Sequence, residues 1–269
     1  MSLSVIRLTL RTRRLAIFWF DFGILALGLL IMGLWPLFAE NWDDLTQAMG
    51  GSEVFGGTQV AGASAQQNTF YSYFSSQYTS TLMLVLAYFG VWFGAGLITR
   101  DFGTGTLDVL LAAPMSRTRF LLSRIAALLV LTTVVVAASY VAILIGAAIW
   151  AREVDLGALE LLVVHLQMLV FTLAVAGGGL LLATLILQPG RTYGLAAGII
   201  VIMFVLLIVA DIASNLEWLE KISIFGYWNP VDQLGPGDFI WRDTLVLGVT
   251  ALVSSAIALA IFRRRDIVA

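Results

Sequence analysis

The sequence predicts an all-α membrane protein with six transmembrane helices and both termini in the cytoplasm. Three observations carry this. The 269 residues are 60% hydrophobic and 12% charged, with a mean hydropathy of +0.95; a soluble domain carries about 25% charged residues, and half that cannot coat a water-facing surface. Six continuous apolar runs each approach or exceed the ~20 residues a spanning helix needs. Arginine is segregated, which fixes orientation. A barrel is excluded because the runs lack alternation between lipid-facing and lumen-facing residues.

The spans fall at about residues 15–38, 81–98, 120–150, 156–187, 193–213 and 244–262. They make one transmembrane domain over residues 1–269. The third and fourth are long, which suggests tilt or interfacial extension. Counting links, Arg7, Arg11, Arg13, Arg14, Arg100, Arg117, Arg119, Arg124, Arg191, Arg263, Arg264 and Arg265 share one side, which by the positive-inside rule is cytoplasmic. Arg152, Lys221 and Arg242 lie on the other, together with most acids.

Ahead of the first span, Leu3, Ile6 and Leu10 alternate with Arg7, Arg11 and Arg14. They form either a short amphipathic helix on the inner leaflet or a plain positive flank. The first span is too long for a signal-peptide core, and the bulky Leu34-Trp35-Pro36-Leu37-Phe38 offers no cleavage site. In the outer link 39–80, Gly50–Ala65 is rich in Gly, Ser and Ala and reads as loop. It ends in the aromatic, uncharged stretch from Phe70 to Tyr78, either an interfacial belt or a substrate-contacting patch.

The inner segment 100–118 is the most informative. Gly103 and Gly105 loosen the backbone, and Thr106 to Ala113 can form two helical turns. Leu107, Leu110 and Leu111 then share one face. Pro114 stops the helix and Ser116 can cap the third span. Three leucines on a short cytoplasmic helix mark either a docking surface or a face resting on the chain's own membrane ends. In the outer link 214–243, Leu216, Leu219, Ile222 and Phe225 predict a short interfacial or re-entrant helix, broken by Asn229-Pro230 and Gly235-Pro236-Gly237.

The run Asp101-Phe102-Gly103-Thr104-Gly105-Thr106-Leu107-Asp108-Val109-Leu110-Leu111-Ala112-Ala113-Pro114-Met115-Ser116-Arg117 resembles the cytoplasmic signature of type-2 ABC exporter permeases. That signature is acid, three variable residues, Gly-Thr-Leu, acid, x, Leu-Leu, two variable residues, Pro, an apolar residue, Ser-Arg. The family usually has Glu where this chain has Asp101. The tail Phe262-Arg263-Arg264-Arg265-Asp266-Ile267, the Asn229-Pro230 loop and the six-span topology are also similar. The resemblance implies a permease without its own ATPase, driven by a cytoplasmic ABC ATP-binding subunit, expected in two copies. The helix Gly105–Ala113 would be the coupling helix, with Leu107, Leu110 and Leu111 filling a groove of that subunit. Asp101, Asp108, Arg117 and Arg119 would contact the groove's rim. A second permease chain, identical or related, would complete the path. ATP and Mg would be bound by the partner, and the complex would sit in the plasma membrane. The residues fit this division of labour: no G-x-x-x-x-G-K-[ST] phosphate loop occurs, and the single lysine, Lys221, lies outside.

Within the spans, Asp21 can pair with Arg13 or Arg14, or belong to the path. His165 and Gln167, in the outer half of the fourth span, suit interhelical hydrogen bonds or a polar network along the path. Gly194 and Gly198 form G-x-x-x-G in the fifth span and serve either intrachain packing or a dimer seam; the family's dimer contact involves the first and fifth spans. Gly177-Gly178-Gly179 cluster in the fourth span. With no cysteine, one histidine and no paired buried carboxylates, no metal, redox or catalytic site is expected. A net charge of −2 argues against nucleic acid as a partner. The alternatives to an ATP-driven exporter are an ion-coupled secondary transporter and a non-transporting membrane anchor or assembly factor.

Overall fold

A computed structural model describes residues 2–49, 65–111, 115–154, 156–229 and 241–265. Among these, the elements are α1 (Leu3–Glu40), α2 (Trp42–Met49), α3 (Ala65–Tyr73), a π-helical segment (Phe74–Thr79), α4 (Ser80–Gly103), α5 (Thr106–Leu111), α6 (Arg117–Trp150), α7 (Ala158–Leu185), α8 (Pro189–Ile212), two 3-10 turns (Ser214–Leu219 and Ile224–Tyr227) and α9 (Trp241–Arg264). No strand occurs among the described residues. Among the described residues six helices are long and apolar enough to cross a membrane: Leu3–Glu40, Asn68–Gly103, Arg117–Trp150, Ala158–Leu185, Pro189–Ile212 and Trp241–Arg264.

The first span differs from expectation. There is no separate amphipathic helix, because α1 runs unbroken from Leu3 to Glu40. Neither Gly nor Pro interrupts it before Gly23, so nothing stops propagation. At 1.5 Å per residue it is about 57 Å long, well beyond a ~30 Å hydrocarbon core. Its buried row near the N-terminus is Val5, Thr9, Arg13 and Ile17, whereas Leu3 is 81% exposed.

The second span is also longer than its hydropathy suggests. The expected outer loop 39–80 holds the end of α1, α2, and the rod α3–π–α4, which runs from Ala65 to Gly103; residues 50–64 lie outside the described residues. The stretch from Phe70 to Tyr78 is therefore neither a loop nor an exposed belt. Phe70, Tyr71, Tyr73, Phe74 and Tyr78 are all buried. Trp35 of α1 packs edge-on to Phe70 at 5.0 Å, and Phe38 meets Tyr73 at 4.5 Å. The Tyr73 hydroxyl donates to the Ile31 carbonyl. Aromatic contact thus staples α1 to α3.

The other four spans follow the predicted runs to within a few residues. Ser116 caps α6, accepting from the Arg119 amide at 3.3 Å, and Pro189 opens α8, where a missing N–H costs nothing. The outer helix expected over 214–243 is not an α-helix; the described part is two 3-10 turns. Residues 216, 219, 222 and 225 recur every three, which is the 3-10 period and not the α period. Phe225 is buried between Phe171 and Phe204, while Trp218 and Ile222 face outward. Pro230 and Gly235-Pro236-Gly237 lie outside the described residues.

Helix pairing rests on small residues, as it must where lipid competes with every apolar side chain. A methyl group added at Gly28 of α1 would come within 2.8 Å of the Ala142 side chain in α6, and one at Gly179 of α7 within 2.9 Å of the Ala95 amide in α4. Gly177 similarly faces Ser254 of α9 at 2.6 Å. Two of the three clustered glycines are thus spent on packing inside the chain, while Gly178 meets nothing within 4 Å. α8 is the outlier: of its residues only Thr192, Ala196 and Ala210 are buried.

Candidate functional site

The end of the bundle where α4 stops and α6 and α8 start gathers the residues of the signature. α4 terminates at Gly103, whose added methyl would strike Pro189 at the start of α8 at 2.7 Å. Thr104 closes the turn: its amide bonds the Arg100 carbonyl and its hydroxyl meets that of Thr106 at 2.9 Å. Gly105 follows with φ +69°, a left-handed conformation that glycine adopts without penalty. The chain turns there into α5, six residues long.

α5 does not present three leucines outward. Leu107 is 1% exposed and belongs to the chain's own core, and Leu110 is partly buried against it. Of the two roles open to this face, Leu107 and Leu110 take the second and rest on the chain's own core. The side chains of Asp108 and Leu111 and the whole of Ala112, Ala113 and Pro114 lie outside the described residues, so the stop assigned to Pro114 has no structural counterpart here.

Two residues expected to face a partner are used internally. Asp101 forms an ion pair with Arg124 of α6. Arg117 donates to the Arg265 carbonyl at the end of α9. The Arg265 guanidinium in turn bonds the Thr184 and Leu185 carbonyls, the latter at 2.7 Å. A cation at a helix C-terminus satisfies orphan carbonyls and opposes the helix dipole. α6, α9 and α7 are thereby tied at this end.

Two buried arginines were not singled out by sequence reasoning beyond their charge. Arg13 donates to the Gly96 carbonyl at 2.6 Å and lies 5.5 Å from the Phe93 ring centre. Arg124 lies 5.1 Å from the Phe120 ring, and its Nε has no hydrogen-bond partner. A signal existed. Arg124 falls in register with Phe120, Leu121, Leu128 and Leu131, all buried, and Arg13 with Val5, Thr9 and Ile17.

Deeper in the bundle, His165 is 2% exposed; its Nδ1 meets the Leu161 carbonyl at 2.7 Å and its Nε2 the Tyr78 hydroxyl at 3.1 Å. Tyr78 also reaches the Ser139 carbonyl at 3.2 Å. This knots the π segment, α6 and α7 together. Gln167 is fully buried, donates to the Tyr227 carbonyl at 3.3 Å, and leaves its Oε1 unpartnered. Both residues thus make interelement hydrogen bonds. Asp21 differs from the expected ion pair: neither Arg13 nor Arg14 engages it, and its Oδ1 is buried without a partner. The preceding residue, Phe20, lines an open groove of about 350 Å³ with Trp19, Gly23, Ile24, Leu27 and Val85.

Gly194 and Gly198 have nothing within 4 Å of an added methyl. They are not packing residues of this chain; they lie on the open face of α8 with Val201, Ile202 and Val205. Among the described residues no group of three or more His, Cys, Asp or Glu side chains could hold a metal.

Residues 3–263 match the model of one protein family, described as multidrug efflux system permease Rv1217c, C-terminal domain. No curated protein matches the chain. With six membrane-crossing helices and a match over nearly its whole length, the chain belongs to the family of the multidrug efflux system permease Rv1217c C-terminal domain and is a multi-pass transporter permease.

Proposed function

We propose that this permease is the membrane half of an ATP-driven type-2 ABC exporter, with ATP and Mg bound by a separate ATP-binding subunit in two copies. The observation that carries the proposal is the signature within Asp101–Arg117, whose Gly-Thr-Leu turn and short helix follow α4 at the arginine-rich end. These 269 residues contain no phosphate loop, which fits nucleotide binding elsewhere. The arginine-rich end is then cytoplasmic, as are both ends of this sequence, and the membrane is the plasma membrane.

In this reading α5 works as a rooted lever. Leu107 holds its base in the permease core, and the rest of the helix, with Asp108 and Leu111, meets the ATP-binding subunit. Force on α5 then reaches α4 through the Gly105 turn and α6 through the Asp101–Arg124 pair. Two permease chains pair through the open faces of α8, including Gly194 and Gly198, and of α1. The test is reconstitution with the ATP-binding subunit. Leu111→Asp, alone and with Leu110→Asp, is expected to abolish co-purification and permease-stimulated ATP hydrolysis, and a melting temperature separates this from loss of fold, since Leu110 also touches the permease core. Unchanged assembly and stimulation would overturn the coupling assignment. Transport that persists without an ATP-binding subunit and collapses with the proton gradient would favour a secondary carrier.

A further inference from the structure

At the end of the bundle opposite the arginine-rich one, α1 and α6 finish side by side and leave a half-enclosed cleft of about 360 Å³. Trp35 and Glu40 of α1 line one wall, and Trp150, Arg152 and Glu153 line the other. The two walls are set by close packing. Gly33 lets the Trp150 ring lie 3.7 Å from where a side chain would begin, so the indole rests on the α1 backbone. Ala151, immediately before Arg152, is buried and fixes the start of the turn.

The cleft is amphipathic in a specific order. Below it, toward the middle of the membrane, the surface is aliphatic and open: Leu34, Leu37, Ile145 and Ile149 are all exposed. At its own level stand two indoles, the side chains that favour the headgroup region. At its mouth stand one cation and two carboxylates. Arg152 is anchored through Nε, which donates to the Ala148 carbonyl at 2.7 Å, and its two terminal nitrogens have no hydrogen-bond partner among the described residues. The Glu40 carboxylate forms no hydrogen bond or ion pair among the described residues. It sits at the C-terminus of α1, where the helix dipole adds further negative potential.

We propose that this cleft binds one phosphatidylethanolamine molecule. A guanidinium matches a phosphodiester, a carboxylate beside a helix C-terminus matches a primary ammonium, and the exposed aliphatic strip below accommodates acyl chains. Phosphatidylcholine offers the same phosphate but no N–H donors for Glu40. Phosphatidylglycerol offers no cation at all. The cleft volume lies at the lower end of ordinary small-molecule sites, in keeping with a headgroup and not a whole lipid. The proposal rests on the membrane placement of the six helices and is independent of how transport is driven.

The test uses the full chain, delipidated in detergent and reloaded with phosphatidylethanolamine, phosphatidylcholine or phosphatidylglycerol of identical acyl chains, with retained lipid counted by native mass spectrometry. The wild type is expected to retain phosphatidylethanolamine about threefold better than the other two, the scale of one partly exposed ion pair. Glu40→Gln should erase that preference without lowering phosphatidylcholine retention. Arg152→Ala should lower retention of all three, and Arg152→Lys should restore most of it. Soluble phosphoethanolamine should not be retained, because it lacks the chains. Equal retention of the three lipids by the wild type, or unchanged preference in Glu40→Gln, would overturn the proposal. Retention of soluble phosphoethanolamine at the level of the lipid would overturn the lipid source. A melting temperature for each variant separates loss of the site from loss of fold, and a folded Ala39→Trp variant, which fills the cleft, should also lose the preference.

Discussion

Replacing Asp101 by Ala strands a guanidinium inside the bundle. The Arg124 side chain is only 4% exposed and that of Asp101 19%. Removing one partner of a buried ion pair costs about 3–5 kcal/mol, because the other charge keeps its desolvation cost and loses its compensation. Partial solvent access to Asp101 favours the lower end, and the Phe120 ring retains some attraction for the cation. A loss of about 3 kcal/mol is expected for Asp101→Ala in the permease alone. Asp101→Asn, which keeps an acceptor oxygen, should lose about 2 kcal/mol, the scale of a charge-assisted hydrogen bond reduced to a neutral one. The double variant Asp101→Ala with Arg124→Met removes both charges, so its cost should fall short of the sum of the singles by at least about 1 kcal/mol. Reversible unfolding by SDS titration in mixed micelles, followed by tryptophan fluorescence, gives all four corners of the cycle. If Asp101 instead points to a partner protein, Asp101→Ala will leave the isolated permease as stable as the wild type and the cycle will be additive. That result would refute the intrachain latch.

Gly179→Val should destabilise the fold by about 1–3 kcal/mol in the same titration, since the Cβ meets backbone of α4 that cannot retreat. Gly194→Val should change monomer stability by less than about 0.5 kcal/mol, the scale of a site with no neighbours, yet weaken any dimer seen by crosslinking. Tyr78→Phe should cost about 1–2 kcal/mol by removing the one hydroxyl that meets both His165 Nε2 and the Ser139 carbonyl, and hydrogen exchange in the π segment should rise. Gly105→Ala should cost about 1 kcal/mol through its positive φ, with the change confined to α5 in exchange measurements.

The number of spans and their order were legible because a lipid environment demands long uninterrupted apolar runs and little else. What escaped was structure built from polar residues. Ser72, Ser75, Ser76 and Thr79 lower the hydropathy of residues 72–80, and a hydropathy reading ends the span there. In the fold two of these hydroxyls return to the helix backbone: Ser76 donates to the Ser72 carbonyl at 2.9 Å and Thr79 to the Ser75 carbonyl at 3.0 Å. A hydroxyl so satisfied costs far less than a transfer scale assigns it. The signature segment was located by its glycines and leucines, and its turn formed where Gly105 required one. The partner of Leu107 was not legible, because a leucine facing its own core and one facing a second protein have the same periodicity. The intrachain roles of Asp101, Arg117 and Arg265 depend on contacts across 23, 148 and about 80 positions of chain, which no local pattern encodes.

The π segment at Phe74–Thr79 sets the phase between the two halves of its rod. A turn bonded i to i+5 takes up one residue more than an α turn over about the same rotation, so the rod carries an extra residue here while Phe70 and Tyr73 stay turned toward Trp35. The wide turn therefore works as slack taken up locally: one continuous rod keeps its aromatic side on α1 and lays Gly90 and Gly94 against α7.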